Sequence, residues 1–191
     1  MRIFSLDTSF SFLNFSVVED GKVIFTCYMD HQKKALENLP KVFADYRIRP
    51  EDYDAYAVSL GVGYLTSVRI GITFMKSWAY LFGKPLVGYE NLEMMLLYTP
   101  AQIPKVSCLK VSNTVFCRVM EENRLSQIKV FKDIIPSGSI ISLREHNIEG
   151  SHVVLEFFPF SAFGGLYAYK RLISGYAGDD VFLLEPFYLK S

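Results

Sequence analysis

Asp20-Gly21 stands between two runs of β-branched and aromatic residues, Phe12 to Val18 and Lys22 to Met29. An Asp-Gly pair takes the positive φ angles of a tight hairpin turn, so these runs are read as adjacent antiparallel strands. A shorter apolar run, Arg2 to Asp7, precedes them across Thr8-Ser9. The chain therefore opens on three consecutive strands joined by tight turns, which any fold for it must accommodate.

Leu36, Leu39, Phe43 and Tyr46 then lie on one helical stripe within 34–46. Pro40 interrupts it, and two readings stand: a helix that begins near Pro40, where a first turn accepts proline, or one longer helix kinked there. Asp54 to Leu60 reads as a fourth strand ending in Gly61-Val62-Gly63, followed by a helix from Thr66, a candidate N-cap, to Phe82. Gly83-Lys84-Pro85 stops that helix. A fifth strand over Pro85–Gly88 and a helix over Asn91–Tyr98 complete a mixed α/β pattern.

The second half carries weaker signals. Lys105–Val111 and Thr114–Met120 suit a hairpin around Ser112-Asn113, which places Cys108 opposite Cys117. Both are expected to be reduced, although the pairing permits a cross-strand disulfide. Short strands are expected over Leu125–Phe131, Ser139–Leu143 and Val153–Phe158, a helix over Ala162–Ser174, and an extended tail over Val181–Lys190. No internal repeat is evident.

The long helix bears two apolar stripes. One is Val68, Ile72, Met75, Ala79 and Phe82; the other is Ile70, Phe74, Trp78 and Leu81. A helix lying on a sheet needs one. Either it is sandwiched within its own domain, or its second stripe meets a partner.

Catalytic signals are sparse. The histidines His31, His146 and His152 have no metal-ligand spacing, and no G-x-S-x-G elbow is present. Asp7-Thr8-Ser9 follows the first strand and Gly61-Val62-Gly63 precedes a helix, two places where phosphate loops form. The first continues Phe10-Ser11-Phe12 without glycine, and no Walker lysine follows the second. Asp7, Thr8, Ser9, Gly61 and Gly63 are thus vestigial phosphate-loop candidates. No cofactor or metal is expected.

Lysine plus arginine equal aspartate plus glutamate, 20 against 20. A chain that grips a nucleic acid by itself needs a cationic face. Lys33-Lys34 and Arg47-Ile48-Arg49 read instead as solvated helix ends. Three cysteines without a C-x-x-C pair suit a reducing compartment. The first residues lack a signal peptide's apolar stretch, and no apolar run reaches the roughly 20 residues of a membrane span. A cytoplasmic location is expected, without membrane attachment.

Several stretches, in order and spacing, resemble the bacterial TsaB (YeaZ) family. Ile3 to Ser9 matches its opening strand and Asp-Thr-Ser. Ser59-Leu60-Gly61-Val62-Gly63-Tyr64-Leu65-Thr66-Ser67-Val68-Arg69-Ile70-Gly71 matches its Gly-x-Gly-Pro-Gly-Ser-Phe-Thr-Gly-Leu-Arg-Ile-Gly. Lys84-Pro85-Leu86-Val87-Gly88 with Asn91-Leu92-Glu93, and Pro186-Phe187-Tyr188-Leu189-Lys190, match two further places. Val62 replaces the loop proline, Ser67 replaces a glycine, and the charged mid-chain hairpin becomes Leu109-Lys110-Val111-Ser112.

The resemblance implies an actin/Hsp70-like (ASKHA, ribonuclease H-like) α/β fold with mixed sheets. Its two lobes would be an N-terminal lobe over 1–100 and a smaller, shortened one over 101–191. It implies a non-catalytic accessory subunit in N6-threonylcarbamoyladenosine modification of tRNA, pairing with a TsaD-type subunit that performs the transfer. A TsaE-type ATPase would assist, and tRNA would be met only through the complex. Alone, such a chain would form a homodimer through its N-lobe helices.

The expected interface is Leu36, Leu39 and Phe43 with Val68, Arg69, Ile72 and Met75. On that placement Ile72→Asp separates the assembly without unfolding the chain. The alternatives are a small ASKHA-fold ATPase or kinase acting through Asp7, and a self-associating scaffold of some other assembly.

Overall fold

The computed structural model describes residues 1–30, 35–122, 124–131 and 138–188, with the side chains of 35 and 36 excepted. They form two compact units. One joins Met1–Tyr89 to Pro159–Phe187, and the other is Glu90–Phe158 with Tyr188.

In the first unit, β1 (Arg2–Asp7), β2 (Phe12–Glu19) and β3 (Lys22–Asp30) form the antiparallel meander. Asp20 and Gly21 turn it at φ +47° and +74°. β4 (Ala55–Ser59) and β5 (Leu86–Tyr89) add parallel beside β1, in the order β3-β2-β1-β4-β5. Strand alternation sorts the two faces. Phe4, Leu6, Phe15 and Val17 share a core with α1 (Ala35–Asp45) and α2 (Leu65–Phe82).

The alternate residues meet α4 (Phe160–Ile173). Asn14 Oδ1 accepts the Ser161 N–H at 2.8 Å, and the Ser16 and Ser161 hydroxyls lie 2.6 Å apart. A Cβ at Gly165 would come within 2.7 Å of Val18. Small residues on both sides let this helix lie close against the sheet.

α4 therefore belongs with the first sheet, which departs from the expected division near residue 100. The chain after α4 also returns to that sheet. The Asp179 N–H donates to the Leu86 carbonyl and its carboxylate accepts the Gly88 N–H, each at 2.7 Å. Residues 181–183 form a turn rather than the start of an extended tail, and 189–191 lie outside the described residues.

Of the two readings at Pro40 the longer helix holds, because Pro40 sits inside α1. Tyr64, not Thr66, occupies the N-cap of α2 and makes no side-chain cap bond; Gly83 ends the helix in the left-handed region at φ +60°.

The second unit contains α3 (Asn91–Tyr98), β6 (Lys105–Val111), β7 (Thr114–Glu121), β8 (Arg124–Leu125), β9 (Lys129–Val130), β10 (Ser139–Leu143) and β11 (Val153–Leu155). The strand expected over 125–131 is broken into β8 and β9. The sheet order is β11-β10-β6-β7-β8, with β9 also on β7. β6, β7 and β8 are antiparallel neighbours while β10 and β11 add in parallel, so the unit repeats the strand plan of the first. The repeat is topological and leaves no trace in the residues.

Cys108 and Cys117 pair across β6 and β7 with Cα atoms 4.3 Å apart and are joined as a disulfide. The expectation of two reduced thiols gives way here: direct cross-strand register brings the sulfurs together.

Candidate functional site

α2 separates its two stripes physically. Val68, Ile72, Met75 and Ala79 are buried against the sheet, with Leu39 and Phe43 of α1 beside them. Those of α2 are core because that helix packs directly on β4 and β1. Of the seven residues expected at the interface, Arg69 is exposed and the Leu36 side chain lies outside the described residues. The remaining five are buried in the chain alone, Leu39 and Phe43 on α1 and Val68, Ile72 and Met75 on the inner stripe of α2, although Phe43 also lines a groove described below.

The other stripe faces outward. Ile70, Phe74 and Trp78 are half-buried and rise as a ridge along the outer side of α2. Trp78 is held from beneath by Phe4, Phe43 and Tyr56, with ring centroids 5.5, 5.3 and 5.9 Å away. Phe74 packs edge-on to Phe43 at 5.4 Å and to Trp78 at 5.3 Å. Such ring packing holds the ridge in place on the unit's own core.

Each flank of the ridge is a groove. One, of about 430 Å³, is lined by Thr66, Arg69, Ile70, Thr73 and Ser77 with the two aromatics. The other, of about 790 Å³, runs between the same aromatics and the end of α1, walled by Pro40, Ala44, Arg47, Ile48 and Arg49. Arg47 and Arg49 are therefore groove walls rather than a bare helix end. Arg49 grips Asp52 through two hydrogen bonds of 3.0 Å. The second groove was missed from sequence because it depends on the chain folding back after α1, where Arg47 adopts φ +53°.

The two phosphate-loop candidates are brought together, but against each other. The Ser9 N–H donates to Asp7 Oδ1 at 2.9 Å, the Gly61 N–H to Ser59 Oγ at 3.1 Å, and the Tyr64 N–H to the Ser9 carbonyl at 2.7 Å. Thr8 Oγ1 donates to the Ser67 carbonyl at 2.6 Å, and Ser9 Oγ lies 2.9 Å from Ser59 Oγ. Gly63 is needed for this closure: a Cβ there would fall 2.5 Å from Ser9 Cβ and its carbonyl oxygen. Backbone donors that would cradle a phosphate thus serve internal acceptors. Among the described residues no group of three or more His, Cys, Asp or Glu is placed to hold a metal ion.

A charged cluster that sequence reading missed lies in the second unit. Arg118 donates to Glu90 at 2.9 Å, to Glu93 at 3.0 Å and to the Ser126 carbonyl at 2.9 Å. Glu90 also caps α3, accepting the N–H groups of Leu92 and Glu93. Burial pushes the Glu90 carboxyl up to about 7, against the opposing pull of Leu92, Arg118 and Glu93. The partners lie 28 and 25 residues apart in sequence, so no local pattern announces them.

These features define a two-unit α/β protein whose mixed sheets share one strand plan, with closed phosphate-loop positions and an apolar ridge on its first unit. The family described as TsaD: tRNA N6-adenosine threonylcarbamoyltransferase matches residues 26–135, more than half of the chain, and the chain belongs to this family.

A Phytoplasma australiense tRNA N6-adenosine threonylcarbamoyltransferase is 30% identical over 112 residues, covering 48% of this chain and 34% of that protein. The Bacillus subtilis tRNA threonylcarbamoyladenosine biosynthesis protein TsaB is 28% identical over 99 residues, covering 50% and 43%. The matches span between a third and a half of these relatives' length. In fold, YeaZ from Pseudomonas aeruginosa superposes over 98% of this chain and 99% of its own at a TM-score of 0.71, with 16% identity. No helix among the described residues is long and apolar enough to cross a membrane.

Proposed function

We propose that this chain is a non-catalytic accessory subunit in N6-threonylcarbamoyladenosine modification of tRNA, and that it pairs with a TsaD-type protein through the outer face of α1 and α2. The observation that carries the reading is the Ile70–Phe74–Trp78 ridge between its two grooves. A rigid aromatic ridge flanked by grooves suits helix-on-helix packing, in which ridges of one partner enter grooves of the other. Exposed large apolar side chains extend the face at the end of α2, Tyr80 and Leu81 among them. In the absence of the partner, a second copy takes its place and the chain is a homodimer.

The closed loops support a chain that leaves chemistry to its partner and weigh against a free-standing ATPase or kinase. A TsaE-type ATPase and tRNA join only through the complex. The role places the chain in the cytoplasm.

Light scattering on a sizing column, of the chain alone and mixed with its own organism's TsaD-type protein, tests this. A homodimer replaced by a one-to-one complex is the expected result. An unchanged elution on mixing refutes the pairing, and calorimetric binding of ATP to the isolated chain that Asp7→Ala abolishes favours the enzyme instead.

A further inference from the structure

We propose that Cys108 and Cys117 are a redox-modifiable site, a disulfide made and broken by exchange with a small thiol of the glutathione type, which sets the rigidity of the second sheet. Their strands place them directly opposite, with Cα atoms 4.3 Å apart, the close spacing of a non-hydrogen-bonded antiparallel pair. Both are fully buried. Their chain neighbours Ser107 and Arg118 face α3, Ser107 donating to the Leu92 carbonyl at 2.8 Å and Arg118 holding Glu90 and Glu93. Alternation therefore turns both cysteines to the opposite face of the sheet.

That face has a small core. Its buried members are Val106, Cys108, Cys117 and Ile140, surrounded by half-buried side chains that include Val115, Val119, Phe131 and Ile148. Among the described residues these packing side chains come from strands, a loop and the 3-10 position of Phe131, and none from an α-helix. A cluster this small opens locally at much lower free energy than the whole chain unfolds, which admits a reagent to sulfurs that are sealed on average. The third cysteine, Cys27, belongs to the first unit and is free. Burial raises its thiol pKa, which disfavours its thiolate as a competitor.

The exchange balances with oxidised glutathione as oxidant. One cysteine thiolate attacks its disulfide, forming a mixed disulfide and releasing one glutathione thiolate. The second cysteine thiolate attacks the cysteine sulfur of the mixed disulfide and releases the other. Two electrons pass from the protein thiols to glutathione, and the two thiol protons go to solvent or to the departing thiolates. When closed, the bond ties β6 to β7 over nine residues of sequence and holds Arg118, next to Cys117, at α3. When open, the hairpin keeps its ladder but loses the covalent tie.

The full chain is equilibrated across a series of reduced-to-oxidised glutathione ratios, quenched in acid, alkylated and mapped by mass spectrometry, with hydrogen exchange measured on the same samples. The bonded fraction should titrate between both extremes. Amides of β6 and β7 should exchange more slowly when it is bonded, on the order of ten- to a hundred-fold. Cys27→Ser should leave the titration unchanged. Free thiols at every ratio, a bond that survives excess dithiothreitol, or bonding without altered exchange would each overturn the proposal.

Discussion

Two substitutions five residues apart on α2 should have opposite consequences. Ile72 is 3% exposed and packs in the core between α2 and the first sheet. Ile72→Ala removes three buried carbons, worth about 2.5 kcal/mol by transfer at ~0.8 each. The cavity left behind brings the cost to about 3–5 kcal/mol. In a domain of this size each kcal/mol lowers the melting temperature by about 2–4 °C, so a loss of roughly 6–20 °C is expected. Ile72→Asp should unfold the chain, since among the described residues the core around it is apolar and holds no cation to pair with a carboxylate. Ser77 lies on the exposed wall of the first groove. Ser77→Arg should therefore change stability by no more than about 0.5 kcal/mol, yet break self-association by filling the groove. Thermal unfolding followed by circular dichroism, with light scattering on the same samples, reads both effects. The reasoning fails if Ile72→Ala melts with the parent, or if Ser77→Arg leaves the oligomer intact.

Gly63→Ala should destabilise by about 1–3 kcal/mol, because its Cβ meets the Ser9 backbone, which cannot rotate away; denaturant titration measures this, and a neutral result would mean the loop opens readily. Gly164→Ala should cost a similar amount, since its Cβ would enter the Tyr89 ring, which is fixed by its hydroxyl on the Leu6 carbonyl at 3.0 Å; an unchanged midpoint would contradict the close approach of α4. His146 is held neutral: burial and the Lys110 cation lower its pKa to about 4, and its Nδ1 accepts the Lys110 N–H at 3.1 Å. Its stabilisation is present above about 6.5 and lost as pH falls through about 4. Glu90, raised from 4.5 to about 7, has the opposite sign, its contribution being present below 4.5 and lost as pH rises through about 7. Denaturation midpoints from pH 4 to pH 8 should therefore show His146→Gln flattening the acid limb and Glu90→Gln the neutral one; parallel curves for parent and variants would refute both assignments.

Legibility followed locality. The opening meander, the α2 boundary at Gly83 and the β6–β7 register all depend on turns of a few residues, whose side chains and φ angles announce themselves. The two stripes of α2 were legible too, because helical period alone sorts them. Which stripe faces the sheet was not, since Val68–Ile72–Met75 and Ile70–Phe74–Trp78 are equally apolar. The choice rests on β1 and β4, which approach from distant sequence. The same limit hid the place of α4. Ser5, Asn14 and Ser16 alternate with Phe4, Phe15 and Val17, a pattern that reads equally well as a sheet face left to water. Only Ser161, Gly164 and Gly165, more than a hundred residues on, turn it into a bed for a helix.

The two sheets share a strand plan but differ in what covers them, and that difference separates their roles. The first carries helices on both faces, and its β1, β4 and β5 are almost wholly buried. That rigid base lets α2 turn a half-buried tryptophan outward without losing its seat, since Phe4, Phe43 and Tyr56 hold it from below. In the second unit, β8, β9 and β11 have two or three residues each, and among the described residues one face holds a small apolar cluster. There the specific ties replace bulk packing: the Cys108–Cys117 bond on one face and the Arg118–Glu90–Glu93 cluster on the other. A unit held this way responds to pH and to thiols, whereas the first responds chiefly to changes of volume in its core. Perturbations that move stability through titration or reduction should therefore act in the second unit, and those that act on assembly should fall on the outer face of α2.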